Sequence, residues 1–210
     1  MSIASEGKLS SIASEHRPFV CDVLAEEEEY DLLLQATSRF LTDEPENTAL
    51  LLKHVLACLE FGETGLALHD IEKVRELRTE SSKECLELAS LYLRLDLLSD
   101  ALKTTNGVLE QDSTNYDARR LLARVYFALH DPAGCEEILR KLEKERQFDV
   151  YCYCLTAVMA YRESDYDKCL RYGARLLIHP KSTEEARHAV VMSQALARGE
   201  EPPAYGGHRH

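Results

Sequence analysis

Tryptophan is absent from this chain, and the residues that punctuate turn-rich folds are scarce: nine glycines and six prolines in 210 residues. Sandwiches and barrels turn every few residues, so this scarcity argues against them and for helices. An excess of positive charge is missing too. Lysine and arginine number 25 against 37 aspartates and glutamates, a formal net charge of -12. That balance opposes non-specific binding to DNA, RNA or an anionic bilayer. No apolar run reaches the length of a membrane span. The opening MSIASEGKLSSIASEHRPF lacks the apolar centre of a signal peptide. Cysteines number seven: Cys21, Cys58, Cys85, Cys135, Cys152, Cys154 and Cys169. The count is odd and most lie inside apolar periodic segments. They read as reduced packing thiols, with the cytoplasm, or else the nucleus, as the expected compartment.

What the chain does have is a period. LASLYLRLDLLSDAL, residues 88–102, reads as helix, tight turn, helix, with the small Ala101 early in the second helix. Ala67 lies 34 residues before Ala101, and Cys135 and Cys169 continue the same step after it. A second ladder runs Val55, Ala89, Ala123, Ala157; a third Val74, Val108, Leu142, Leu176; a fourth Cys58, Tyr92, Tyr126, Ala160. Repeats at this period predict an all-α solenoid of antiparallel helix pairs. Small residues let the two helices of a pair approach closely. Turns fall at EFGETG, LDLLSD, LHDPAG and RESDYD.

The frame extends both ways. Cys21, Leu33 and Phe40 keep the spacing upstream, and Pro45 ends their helix. Downstream, STEEARHAVVMSQALARG supplies one more helix, with Val191 on the second ladder. Ser182 or Thr183 with Glu185 reads as a capping box, and Gly199 as the stop. The expected organisation is a flexible arm over 1–17 and a solenoid over 18–199. The solenoid comprises a partial repeat 18–47, four full repeats 48–183 and a capping helix 184–199. A disordered tail covers 200–210.

Leu88, Ala89, Tyr92 and Ala101 in one repeat, and Leu122, Ala123, Tyr126 and Cys135 in the next, resemble the tetratricopeptide (TPR) repeat family. Val55, Gly62 and Ala67 continue the pattern in the first full repeat; Ala157, Tyr166, Leu176 and Pro180 do so in the fourth. The resemblance covers residues 14–198. It implies a right-handed superhelix whose concave face binds peptides or helices, and a chain that is not an enzyme. The family's clamp for a terminal carboxylate is not matched, because those places hold Leu52, Leu56, Glu87, Asp117 and Leu121.

The inward stripe of the first helices consists of Leu52, Leu56 and Leu59; Leu86, Ser90 and Leu93, beside Arg94; Arg120, Arg124 and Phe127; and Cys154, Val158 and Tyr161, beside Arg162. His188 and Met192 continue it on the last helix. Leucines beside arginines suit another protein's amphipathic helix or peptide carrying acidic residues. The expected function is therefore that of an adaptor, chaperone or assembly subunit, without nucleic acid, cofactor or membrane insertion. The alternatives are an enzyme's regulatory subunit and a homo-oligomer that uses the groove on itself. A purely structural network, with Asp117 and Glu87 answering the arginines, is the competing account of the charge.

No catalytic or metal set emerges. YCYC at 151–154 has no second cysteine pair at zinc spacing. The tail HRH does not define a site, and EEEE at 26–29 precedes a helix N-terminus, where acids are favourable. His69 and Asp70 are neighbours in sequence, which on a helix separates their side chains. His130 and Asp131 occupy a turn. The segment SIASE occurs at 2–6 and again at 11–15, off the 34-residue period.

Overall fold

The structure, a computed structural model, describes residues 11–79 and 81–198. The chain divides into two compact units, one ending at Val108 and the other beginning at Leu109. Eleven α-helices and two short 3-10 helices make up the described residues, with no strand among them.

In the first unit a 3-10 turn, Ser14–His16, leads into α1 (Arg17–Glu26) and α2 (Tyr30–Asp43). Then follow α3 (Thr48–Glu60), α4 (Thr64–Leu77) and α5 (Ser82–Arg94). α6 (Leu98–Gln111) carries the chain past the boundary. α1 packs on α2 and α3 on α4 as antiparallel pairs, and α3 also touches α1, α2 and α5. The second unit holds α7 (Tyr116–Ala128) with α8 (Pro132–Lys144), and α9 (Val150–Arg162) with α10 (Tyr166–Gly173). A 3-10 turn, Leu176–Ile178, precedes α11 (Glu184–Ala197). α9 contacts both helices of the pair before it, and α11 packs on α9 and α10.

Backbone stops keep the period. The first helices α3, α5, α7, α9 and α11 begin after Asn47, Ser81, Asn115, Asp149 and Thr183, each 34 residues beyond the last. Four of these side chains accept a hydrogen bond from the backbone N–H three residues on: Leu50, Ala118, Cys152 and Ala186. Each such cap is worth about 1 kcal/mol. The turn within each pair repeats as well. Glu28, Gly62, Asp96, His130 and Ser164 all have a left-handed φ, from 57° to 73°. At every one, its own N–H bonds the carbonyl three residues back and the next N–H bonds the carbonyl five back. This is the Schellman closure of a helix end, and only one of the five positions is a glycine.

The ladders form the core. Ala67, Ala101, Cys135 and Cys169 are fully buried, as are Val55, Ala89, Ala123 and Ala157. Val74, Val108, Leu142 and Leu176 are buried too. So are Cys21, Leu33 and Phe40 upstream. Tyr126 alone among the rungs is half-buried. All seven cysteines are free. Burial pushes the Cys135 and Cys152 thiols up to about 12, so they pack as neutral groups.

Two expectations fail at the last helix. Val191 is 39% exposed, and its neighbour Val190 is fully buried instead. On α7 and α9 the second-ladder residues Ala123 and Ala157 cluster with residues of the second helix of their own pair. Among the described residues α11 has no second helix, so it turns Ala186, Ala189 and Val190 toward α9 and α10. The capping box is also absent: Thr183 caps, which puts Ala186 at the third helical position, and Glu185 reaches Arg162. Gly199, the tail and the first SIASE copy lie outside the described residues. One close approach secures α11. A Cβ on the buried Gly173 would stand 2.1 Å from Val190 Cγ2.

Candidate interaction cleft

The sequence of α9 places Tyr151, Cys154, Leu155 and Val158 along one helical face, and α7 sets Arg120, Arg124 and Phe127 at similar spacing. Within the second unit these residues line a cleft of about 410 Å³, closed on one side by Thr183 and Glu185. Cys154 and Val158, 3% and 4% exposed, form its floor; Phe127 is half-buried; Tyr151 and Arg124 are exposed at its edge. Five stripe residues, Arg120, Arg124, Phe127, Cys154 and Val158, therefore share one concavity. Tyr151, Leu155, Thr183 and Glu185 are additions that the stripe rule did not supply, although Tyr151 and Leu155 stand one helical turn apart beside it.

Charge in the cleft is already organised. Arg120 bonds Asp149 at 2.8 Å and Asp117 at 2.9 Å, and lies over the rings of Tyr116 and Tyr151. Burial raises the Asp149 pKa, but the hydrogen bonds from Arg120 and from the Cys152 backbone outweigh it. The carboxyl is held below the usual range. Arg162 reaches Glu185 at 2.8 Å and sits 4.5 Å over the Phe127 ring. Of the two acids expected to answer the arginines, Asp117 does so, whereas Glu87 pairs with the buried Lys53. Asp149 and Glu185 were not foreseen in that role.

The remaining stripe residues are distributed as follows. Tyr161 is half-buried against Tyr166. His188 and Met192 are half-buried on α11. In the first unit Leu56, Leu59, Leu86, Ser90 and Leu93 are half-buried, and Arg94 pairs with Glu60 at 2.6 Å. Leu52 is 1% exposed, so its side chain belongs to the packing and offers no surface to a partner.

One constellation escaped the sequence reading. His54 Nδ1 lies 2.6 Å from Asp70 Oδ2, and its Nε2 lies 3.2 Å from Ser38 Oγ. Asp70 does meet a histidine, but it is one on the preceding helix and not the adjacent His69. The order serine, histidine, aspartate invites a catalytic reading, which the hydrogen bonding disfavours. The Ser38 hydroxyl donates to the Leu34 carbonyl at 2.6 Å, so its proton does not point at the imidazole. Its neighbours' N–H groups lie within α2, where none is presented to an oxyanion. The trio ties α2, α3 and α4 together. Among the described residues no three histidine, cysteine or acidic side chains are arranged to hold a metal. No described helix is long and apolar enough to cross a membrane.

No protein-family model and no curated protein matches the sequence. Solved structures do match its fold. A tetratricopeptide repeat protein from Parabacteroides merdae superposes with a TM-score of 0.68 at 17% identity, covering 88% of this chain and 72% of that one. Pseudomonas aeruginosa PilF gives 0.68 at 11% identity, over 89% and 84%. The chain has the tetratricopeptide-repeat fold. YrrB, described as a TPR protein with an unusual peptide-binding site, gives 0.51 at 15% identity, over 80% and 87%. At these identities the likeness is one of TPR architecture, and the five Schellman turns and N-cap rungs are its local basis in this chain.

Proposed function

We propose that this TPR-fold chain is a non-enzymatic interaction module, an adaptor, chaperone or assembly subunit, and that the cleft of its second unit receives an apolar helix or peptide of another protein. The apolar floor beneath a rim bearing Arg120 and Arg124 carries this reading. Apolar anchors would fill the space over Cys154, Val158 and Phe127, and an acidic side chain would meet the rim arginines. The half-buried Leu56, Leu59, Leu86 and Leu93 offer apolar surface on the first unit's own helices. The peptide-binding site named for YrrB is consistent with the assignment. The odd count of seven cysteines, most of them in apolar segments, is the ground for proposing the cytoplasm, or else the nucleus, as the chain's compartment.

The test is capture of proteins from native lysate by wild type and by an Arg124→Glu, Tyr151→Ser variant, both positions being exposed. The variant should keep its helicity and lose a partner that wild type retains, and that partner should bind less as salt rises. Equal capture by both would exclude the cleft. A solution mass that grows with concentration and is abolished by the same variant would instead mean that the cleft holds a second copy of this chain.

A further inference from the structure

Phe127 lines two spaces. Its ring borders the cleft, and it also borders a recess of about 230 Å³ with His130, Pro132, Met159, Arg162 and Glu163. Arg162 lies across that ring at 4.5 Å, held by Glu185 at 2.8 Å. The two partners of this ion pair are 48% and 53% exposed. Exposed pairs of this kind are weak and readily exchanged for another carboxylate.

We infer that Arg162 is a movable partition between cleft and recess, and that the partner segment carries two apolar side chains bracketing an acidic one. The inference rests on the cleft reading above. One apolar anchor occupies the cleft. The segment's carboxylate takes Arg162 from Glu185, which is left in solvent, so one ion pair replaces another. Arg162 then leaves the face of Phe127, and the recess becomes continuous with the cleft. The second apolar anchor enters against Met159 and the uncovered ring. Glu163 at the recess wall rejects a second acid there, which fixes the order apolar, acidic, apolar. Without the acid only the first anchor is held.

The probe is a phage-displayed library of random dodecapeptides, selected on wild type and on Arg162→Gln. Wild type should enrich acidic residues flanked by apolar ones, and Arg162→Gln should not. A synthetic peptide from the wild-type pool should shift the ¹³C ε-methyl resonance of Met159, one of three methionines. Changing its acid to the amide should weaken binding roughly tenfold on wild type, the scale of the second apolar anchor that is then no longer held. The same change should have no effect on Arg162→Gln. A peptide that loses affinity for Arg124→Glu, Tyr151→Ser but leaves the Met159 methyl unmoved overturns the partition alone. So does one that keeps its acid preference on Arg162→Gln. Peptides indifferent to the Arg124 and Tyr151 changes, or a library that yields no binder, overturn the cleft reading together with the partition.

Discussion

Replacing Gly173 by alanine sets a known gain against a geometric loss. At the last residue of α10 only part of alanine's helix-interior advantage over glycine, about 1 kcal/mol, is available. Here the added methyl would lie 2.1 Å from Val190 Cγ2, where carbon contacts are comfortable only from ~3.5 Å. α10 and α11 must therefore part by about 1.4 Å locally, or the stiff β-branched Val190 must leave its rotamer. Overpacking of this sort costs about 1–3 kcal/mol before allowance for larger clashes. The variant should lose about 1–2 kcal/mol net, a fall in Tm of about 2–8 °C for a chain of this size. Val190→Ala alone removes two buried methyl groups, about 1.6 kcal/mol by transfer and more with the cavity. Combining the two places the new methyl in the vacated space. The double variant should then fall short of the summed losses by about 1–3 kcal/mol. Urea denaturation of all four proteins measures the cycle. A Gly173→Ala protein as stable as wild type, or losses that simply add, would show that α11 is not seated on Gly173.

Three other perturbations address separate parts of the structure. Ser164→Gly should stabilise by about 0.5–1 kcal/mol and Gly62→Ala should destabilise, because both residues hold a left-handed φ; thermal melts that move the other way would contradict the turn geometry. Leu52→Ala should cost about 2–5 kcal/mol, against clearly less for the half-buried Leu59→Ala; denaturant midpoints settle it, and equal losses would return Leu52 to the surface. Asp70 and Asp149 both have folded pKa values below the usual carboxylate range, burial being overcome by His54 and by Arg120 respectively. Their contribution is complete above the unfolded value of about 4 and is lost as pH falls through the folded one. Stability measured from about pH 6 to about pH 3 should fall on the acid side, less steeply in Asp149→Asn, and a flat profile would refute the assignment.

The pairing of helices was legible because each rung restricts residue type. Only small side chains fit where Ala67, Ala101, Cys135 and Cys169 cross, so composition records geometry. The left-handed rungs were not legible. Glu28, Gly62, Asp96, His130 and Ser164 have nothing in common but backbone, and the surrounding hydrogen bonds impose the conformation on unlike residues. Val191 was misplaced because the period was carried into a helix that, among the described residues, has no second helix against which that rung would pack. At the cleft, helical spacing was enough to group Arg120, Arg124, Phe127, Cys154 and Val158. Their charge partners were hidden, since Asp149 and Glu185 come from other segments, 29 residues beyond Arg120 and 23 beyond Arg162. His54 and Asp70 escaped for the same reason: a pair of residues 16 apart on different helices leaves no local signature.

The N-cap rungs and the Schellman turns share one period with the core, so start signals, stop signals and packing positions all recur in phase. Excising the 34 residues that follow one of these turn residues and end with the next of the five, such as 97–130, rejoins a turn to the segment that normally follows one. Asp96 would then precede Asp131, itself the N-cap of α8. Removing one residue more or fewer changes the length of the rejoined turn and turns the helix after it out of register with the neighbour it packs on. In the coding sequence the tolerated unit of gain or loss is thus a whole repeat, and smaller length changes anywhere between a cap and its turn are the ones that selection would remove.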